Sequence, residues 1–95
     1  IYDGIILAYA GVKRLGFENL ISENLNPEEF LPAVGQGALA VEIRKNDPEI
    51  EKLVLTLNEN KSFLEAACER AFLERLQGGC QVPIGAFSKA SETSI

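Results

Sequence analysis

The sequence predicts an α/β chain, α+β in its C-terminal part, built from strand–helix units and ending in a helix–loop–strand segment. Three observations carry this. An isoleucine-rich apolar run at residues 4–8 leads directly into a helical pattern. Residues 38–44 alternate with a period of two and are followed by a second helical pattern. A third helical pattern runs up to Gly78-Gly79, after which an apolar, proline-containing stretch at residues 82–88 reads as a strand.

Each element has a local reason. The run at 4–8 is continuous rather than alternating, as in a strand buried on both faces. The helix after it, over about 9–15, presents Tyr9, Val12 and Leu15 on one face, and Gly16 with Phe17 suits a left-handed C-terminal cap. Residues 18–30 read as loop with at most one short strand. Asn26-Pro27 marks a turn there, and Glu28-Glu29 can start a single helical turn. In the second strand Leu39, Val41 and Ile43 share a face, and Gly35-Gln36-Gly37 before it permits tight turns. Asp47 caps the next helix, Pro48 fits its first position, and Ile50, Leu53, Val54 and Leu57 line one face toward Asn58. Ser62-Phe63-Leu64-Glu65 reads as a capping box opening the long helix, whose apolar stripe is Leu64, Ala67, Cys68, Ala71, Phe72 and Leu76. The polar residues 89–94 read as a turn or frayed end.

Composition narrows the chemistry. The 95 residues carry a net charge of −5, which disfavours a nucleic-acid surface. No apolar run approaches the roughly 18 residues of a membrane span. With no histidine and two cysteines, neither a Ser-His-Asp nor a Cys-His arrangement can be assembled, and a zinc site is poorly supplied. The two cysteines, Cys68 and Cys80, are expected as free thiols in a reducing compartment. Both ends look cut, so a fragment of a longer protein is expected.

Cys80 is the reactive candidate, because it follows two glycines in a linker between regular elements. The helix end before it carries partial negative charge, which disfavours a thiolate, so activation has to come from cations elsewhere. Read from spacing alone, an incidental loop cysteine is the somewhat better reading. Cys68, on an apolar helix face, reads as a small buried hydrophobe. Gly35-Gln36-Gly37 lacks the third glycine of a dinucleotide fingerprint and precedes a strand, so a turn or close backbone packing is the better reading. Lys13 and Arg14 either complement a helix dipole or bind a carboxylate. Glu65, Glu69 and Glu74 read as a solvated helix face.

Two long motifs resemble one family. Residues 31–38, Leu-Pro-Ala-Val-Gly-Gln-Gly-Ala, and residues 76–85, Leu-Gln-Gly-Gly-Cys-Gln-Val-Pro-Ile-Gly, are similar to porphobilinogen deaminase, also called hydroxymethylbilane synthase. Residues 7–16 and Glu69-Arg70-Ala71-Phe72 add to the resemblance. It implies a cytoplasmic, monomeric transferase of porphyrin, tetrapyrrole and heme biosynthesis. Such an enzyme condenses four porphobilinogen molecules into hydroxymethylbilane with release of ammonia. It implies a dipyrromethane cofactor held by a thioether to Cys80, beside Gly79, which lets the anchored chain swing. It also implies that Arg14 binds a pyrrole carboxylate and that Gln36 and Gly37 border the cleft. A thiolate suits the electron-poor carbon formed when porphobilinogen loses ammonia.

The same resemblance divides the chain. Residues 1–32 look like the end of domain 2, residues 33–58 the crossover strand and helix returning to domain 1, and residues 59–95 the start of a cysteine-bearing domain 3. Partners implied are porphobilinogen, the growing oligopyrrole and the remainder of the same polypeptide, with no nucleic acid or membrane. The fragment alone is expected to be inactive, with apolar faces exposed where absent elements would meet them. The competing reading is a non-enzymatic α/β binding or interaction module with an incidental loop cysteine.

Overall fold

The computed structural model describes residues 1–76 and 83–92. Among these, three α-helices and one 3₁₀ turn follow in order: α1 (Tyr9–Arg14), the 3₁₀ turn (Glu18–Leu20), α2 (Pro48–Leu55) and α3 (Asn60–Arg75).

The chemistry that starts and stops α1 and α2 is local. Gly16 has φ 75°, its N–H donates to the Lys13 carbonyl at 3.0 Å, and the Phe17 N–H donates to the Val12 carbonyl at 3.1 Å. That pair of bonds is the Schellman closure, which needs a left-handed residue at its centre. Nothing lies within 4 Å of where a Gly16 Cβ would stand. Gly16→Ala is therefore expected to cost about 1 kcal/mol from backbone conformation alone, read as a lower denaturation midpoint of the full-length protein. Asp47 Oδ1 accepts from the Ile50 N–H at 3.3 Å and Pro48 opens α2, as the sequence indicates. Asn46, at φ 64°, makes the sharp entry to that cap, and Arg44 pairs with Asp47 at 3.6 Å. Asn26 closes its turn by accepting from the Glu28 N–H on its side chain and from Phe30 on its carbonyl.

The long helix differs from expectation at its start. It begins at Asn60, two residues before Ser62, and Glu59 is the cap: its carboxylate accepts from the Ser62 N–H at 3.1 Å and from the Ser62 hydroxyl. Ser62 is a donor to the cap rather than the cap itself, and Glu65 is thereby released from a capping box. The hydroxyl bond of Ser62, then its backbone N–H, and the nearby charge of Lys61 lower the Glu59 pKa, outweighing a small opposing effect of desolvation. A lowered folded-state value stabilises above the ordinary glutamate pKa, about 4.3. That contribution is lost as pH falls through the folded value. The first turn of α3 is expected to fray on acidification below about pH 4, while Glu59→Gln should flatten the titration. The amide chemical shift of Ser62 reports both.

The predicted strands do not form as strands. Residues 4–8 and 38–44 carry no regular structure, and in 83–92 only an isolated antiparallel bridge, Ala33 to Gly85, appears. The α/β expectation is not confirmed: the described residues hold helices and one isolated bridge, without a sheet. The physical reason is pairing: a strand needs a neighbour for its N–H and C=O groups, and here Ile5, Ile6, Leu39 and Val41 stand in solvent, Leu39 at 87% exposure. No two helices pack along a shared face among the described residues. Ile50 and Leu53 on α2, and Leu64, Phe72 and Leu76 at α3, are exposed, as is Cys68, which the sequence places in a core. Among the described residues nothing covers the stripe.

Size measures agree. The radius of gyration is 16.3 Å, against about 13 Å for a compact chain of this length. The accessible surface is 8956 Å², against roughly 5,400 Å² for a compact fold. The expected exposure of apolar faces is present, and no helix among the described residues is long and apolar enough to cross a membrane.

Candidate functional site

Order in this chain concentrates where α3 meets two distant segments. The first is the turn after Pro32. The Gln36 N–H donates to the Ala33 carbonyl and the Ala38 N–H to the Gly35 carbonyl, both at 3.0 Å. Gly35 and Gly37, the third residues of these two successive turns, have φ 72° and 84°. Positive φ at that position is the mark of type II turns and favours glycine. The glycine pattern therefore makes a double turn, as its sequence suggests, and leaves the Gln36 side chain exposed.

The second segment is the stretch after Pro83. Gly85 bridges Ala33, and the Ala86 N–H donates to the Pro32 carbonyl at 3.0 Å. A Cβ on Gly85 would stand 3.0 Å from the Pro32 carbonyl oxygen and 3.2 Å from the Leu31 Cβ. Only glycine lets the two backbones approach this closely.

A single side chain ties both segments to α3. Glu69 is 8% exposed, the only buried charged residue among those described. Its Oε2 accepts from the Gly35 N–H at 2.8 Å. Its Oε1 accepts from the Ser88 N–H at 2.9 Å and the Ser88 hydroxyl at 3.3 Å. The Ser88 hydroxyl also donates to the Glu65 carbonyl at 2.8 Å, and the Ala90 N–H donates to Glu65 Oε1 at 2.8 Å. Backbone N–H groups, rather than a cation, satisfy the Glu69 carboxylate among the described residues, a charge-assisted arrangement. The solvated reading of Glu69 and Glu65 is corrected: α3 turns its polar 65–69 edge inward and its apolar stripe outward. Sequence periodicity follows the stripe and misses this edge.

The predicted site residues fall as follows. Gln36 and Gly37 sit in the double turn, one residue from the Gly35 N–H that Glu69 holds. Arg14 ends α1, exposed and without a hydrogen bond or ion pair among the described residues; no such bond joins α1 to the α3 clamp. Cys80 and Gly79 lie outside the described residues. Two open hollows border α2, one lined by Pro48, Glu51, Lys52, Leu55 and Thr56, the other by residues 44–49, and neither includes Arg14, Gln36 or Gly37. Among the described residues the Arg14 guanidinium makes no hydrogen bond or ion pair and the Gln36 amide is exposed, both groups of a kind that can bind carboxylates.

Comparison with known proteins adds to this geometry. Residues 1–52 match the family model for the porphobilinogen deaminase dipyromethane cofactor binding domain, and residues 63–95 match that for the porphobilinogen deaminase C-terminal domain. A porphobilinogen deaminase of Carboxydothermus hydrogenoformans is 54% identical over 93 residues, covering 98% of this chain and 30% of the relative. One from Roseiflexus sp. is 48% identical over 87 residues, covering 92% of this chain and 29% of the relative. The chain thus spans about 30% of the length of the curated relatives it matches.

Proposed function

The chain belongs to the porphobilinogen deaminase family, and from that premise we propose that it is the cofactor-anchoring part of a hydroxymethylbilane synthase. The full-length protein condenses four porphobilinogen molecules head to tail with release of ammonia. Cys80 anchors the dipyrromethane through a thioether, beside Gly79. Arg14 binds a pyrrole carboxylate, and Gln36 and Gly37 border the cleft. Bound there, the dipyrromethane supplies the covalently held end from which the pyrrole chain grows. The residues of this chain hold that end, orient it against the double turn and offset carboxylate charge. The site works in a cytoplasmic, monomeric enzyme with an α/β architecture that the remaining polypeptide completes by pairing residues 4–8 and 38–44. Residues 1–32 close domain 2, residues 33–58 return to domain 1, and residues 59–95 open domain 3.

The observation that carries this reading is the junction at α3. The double turn and the segment that follows Cys80 are distant in sequence, yet one buried carboxylate holds both. That is the juxtaposition an anchor and its cleft wall require. An intact-mass measurement of the full-length protein, expressed in a porphyrin-making host, tests it. A mass above that of the bare chain, together with a pyrrole colour reaction with an aldehyde reagent, is the expected result. A mass equal to the bare chain overturns it and favours a non-enzymatic module.

A further inference from the structure

Resting on the reading of Cys80 as the anchor, we infer that Glu69 is a positioning residue that fixes the cysteine-bearing segment and the double turn relative to one another. Its two carboxylate oxygens serve two different segments. Oε2 takes the Gly35 N–H at 2.8 Å, next to Gln36 and Gly37. Oε1 takes the N–H and hydroxyl of Ser88, at 2.9 and 3.3 Å, where the segment containing Cys80 returns to α3. Residues 83–88 follow Cys80 in the sequence and are held to α3 at Ser88. A displaced Glu69 releases the double turn and residues 83–88 from one another, and small misplacements of reacting groups cost large rate factors.

The arrangement has a chemical signature. Both Glu69 oxygens accept from backbone N–H groups, so a glutamine there must turn its NH₂ toward one of those donors and lose a bond. Glu65 uses one carboxylate oxygen, for the Ala90 N–H. A glutamine at 65 can keep that bond by pointing its carbonyl at Ala90. The amide isostere should therefore be harmful at 69 and harmless at 65, although both are glutamates four residues apart on one helix.

The test uses the full-length protein as wild type, Glu69→Gln, Glu65→Gln and Ser88→Ala, assayed with porphobilinogen well below each melting temperature. Intact mass gives the loaded fraction, and kcat and KM are expressed per loaded molecule. Glu69→Gln is expected to lower kcat roughly tenfold or more with a much smaller change in KM, or to stay unloaded beside a loaded wild type. Glu65→Gln is expected to match wild type. A Glu69→Gln protein that melts earlier but loads and turns over like wild type overturns the inference, as does equal harm at both positions. If Glu69→Gln cannot be recovered folded, Ser88→Ala decides. It removes the hydroxyl bonds and keeps the N–H bond, so a several-fold fall in kcat supports the inference and an unchanged kcat overturns it. An unloaded wild type overturns the anchor reading itself, and this inference with it; a loaded wild type with an indifferent Glu69→Gln overturns this inference alone.

Discussion

Cys80→Ser in the full-length protein is expected to abolish the covalent adduct and all turnover of porphobilinogen, while Cys68→Ser leaves both in place. The contrast rests on chemistry and placement. A serine hydroxyl ionises far less readily than a thiol and is the weaker nucleophile, so no stable primer link forms at position 80. Cys68 is a free thiol on α3, within the outward stripe and away from the inward 65–69 edge. Its exposure does not make it the anchor. α3 ends at Arg75, and a helix C-terminus carries partial negative charge, which by itself gives no help to a thiolate placed after it in the sequence. Intact mass of the two variants decides the matter. An adduct that survives in both variants overturns the assignment of Cys80.

Gly85→Ala is expected to be the most damaging glycine-to-alanine substitution among the described residues. The added Cβ meets the Pro32 carbonyl oxygen at 3.0 Å, the Leu31 Cβ at 3.2 Å and the Leu31 carbonyl oxygen at 3.3 Å. Two of these contacts are backbone atoms, which a rotamer change cannot move aside. Relief requires the Ala33–Gly85 bridge and the Ala86 to Pro32 bond to open. Overpacking of this kind costs about 1–3 kcal/mol, and a lost backbone bond adds about 1 kcal/mol. Chemical denaturation of full-length Gly85→Ala should show a midpoint lower by that amount, with faster amide exchange at Ala86. A midpoint within error of wild type would mean that the two segments separate freely. The contrast with Gly16→Ala is informative, because there the space is open and only the left-handed backbone resists.

What the sequence reveals and conceals follows the range of the interactions. Asp47-Pro48 and Gly16-Phe17 are legible because each cap closes within a few residues of itself. Gly35 and Gly37 are legible for the same reason: a turn is a local object. The start of α3 is misread by two residues because Glu59 and Ser62 can each satisfy the same orphan N–H groups, and the pattern does not say which donates. Glu69 is misread because its burial depends on residues 35 and 88, to which no periodicity in α3 points. The strands at 4–8 and 38–44 and the buried state of Cys68 are misread: the apolar pattern is there, but among the described residues nothing pairs with those runs and Cys68 is exposed. The two long motifs, 31–38 and 76–85, do not contain Glu69, which bonds to Gly35 in the first and to Ser88 beyond the second.

The excess of exposed surface has a consequence for how this stretch behaves as a thermodynamic unit. A compact chain of this size would hide roughly 3,500 Å² more than this one does. The slope of a denaturant titration follows the area released on unfolding. A chain that has hidden so little releases little, and its helices, which share no packed face, have no reason to melt together. Unfolding of these 95 residues by themselves is therefore gradual, and a single midpoint or free energy assigned to them has no defined meaning. Two family-model domains can be drawn along this chain, yet neither line marks a place where folding begins or ends.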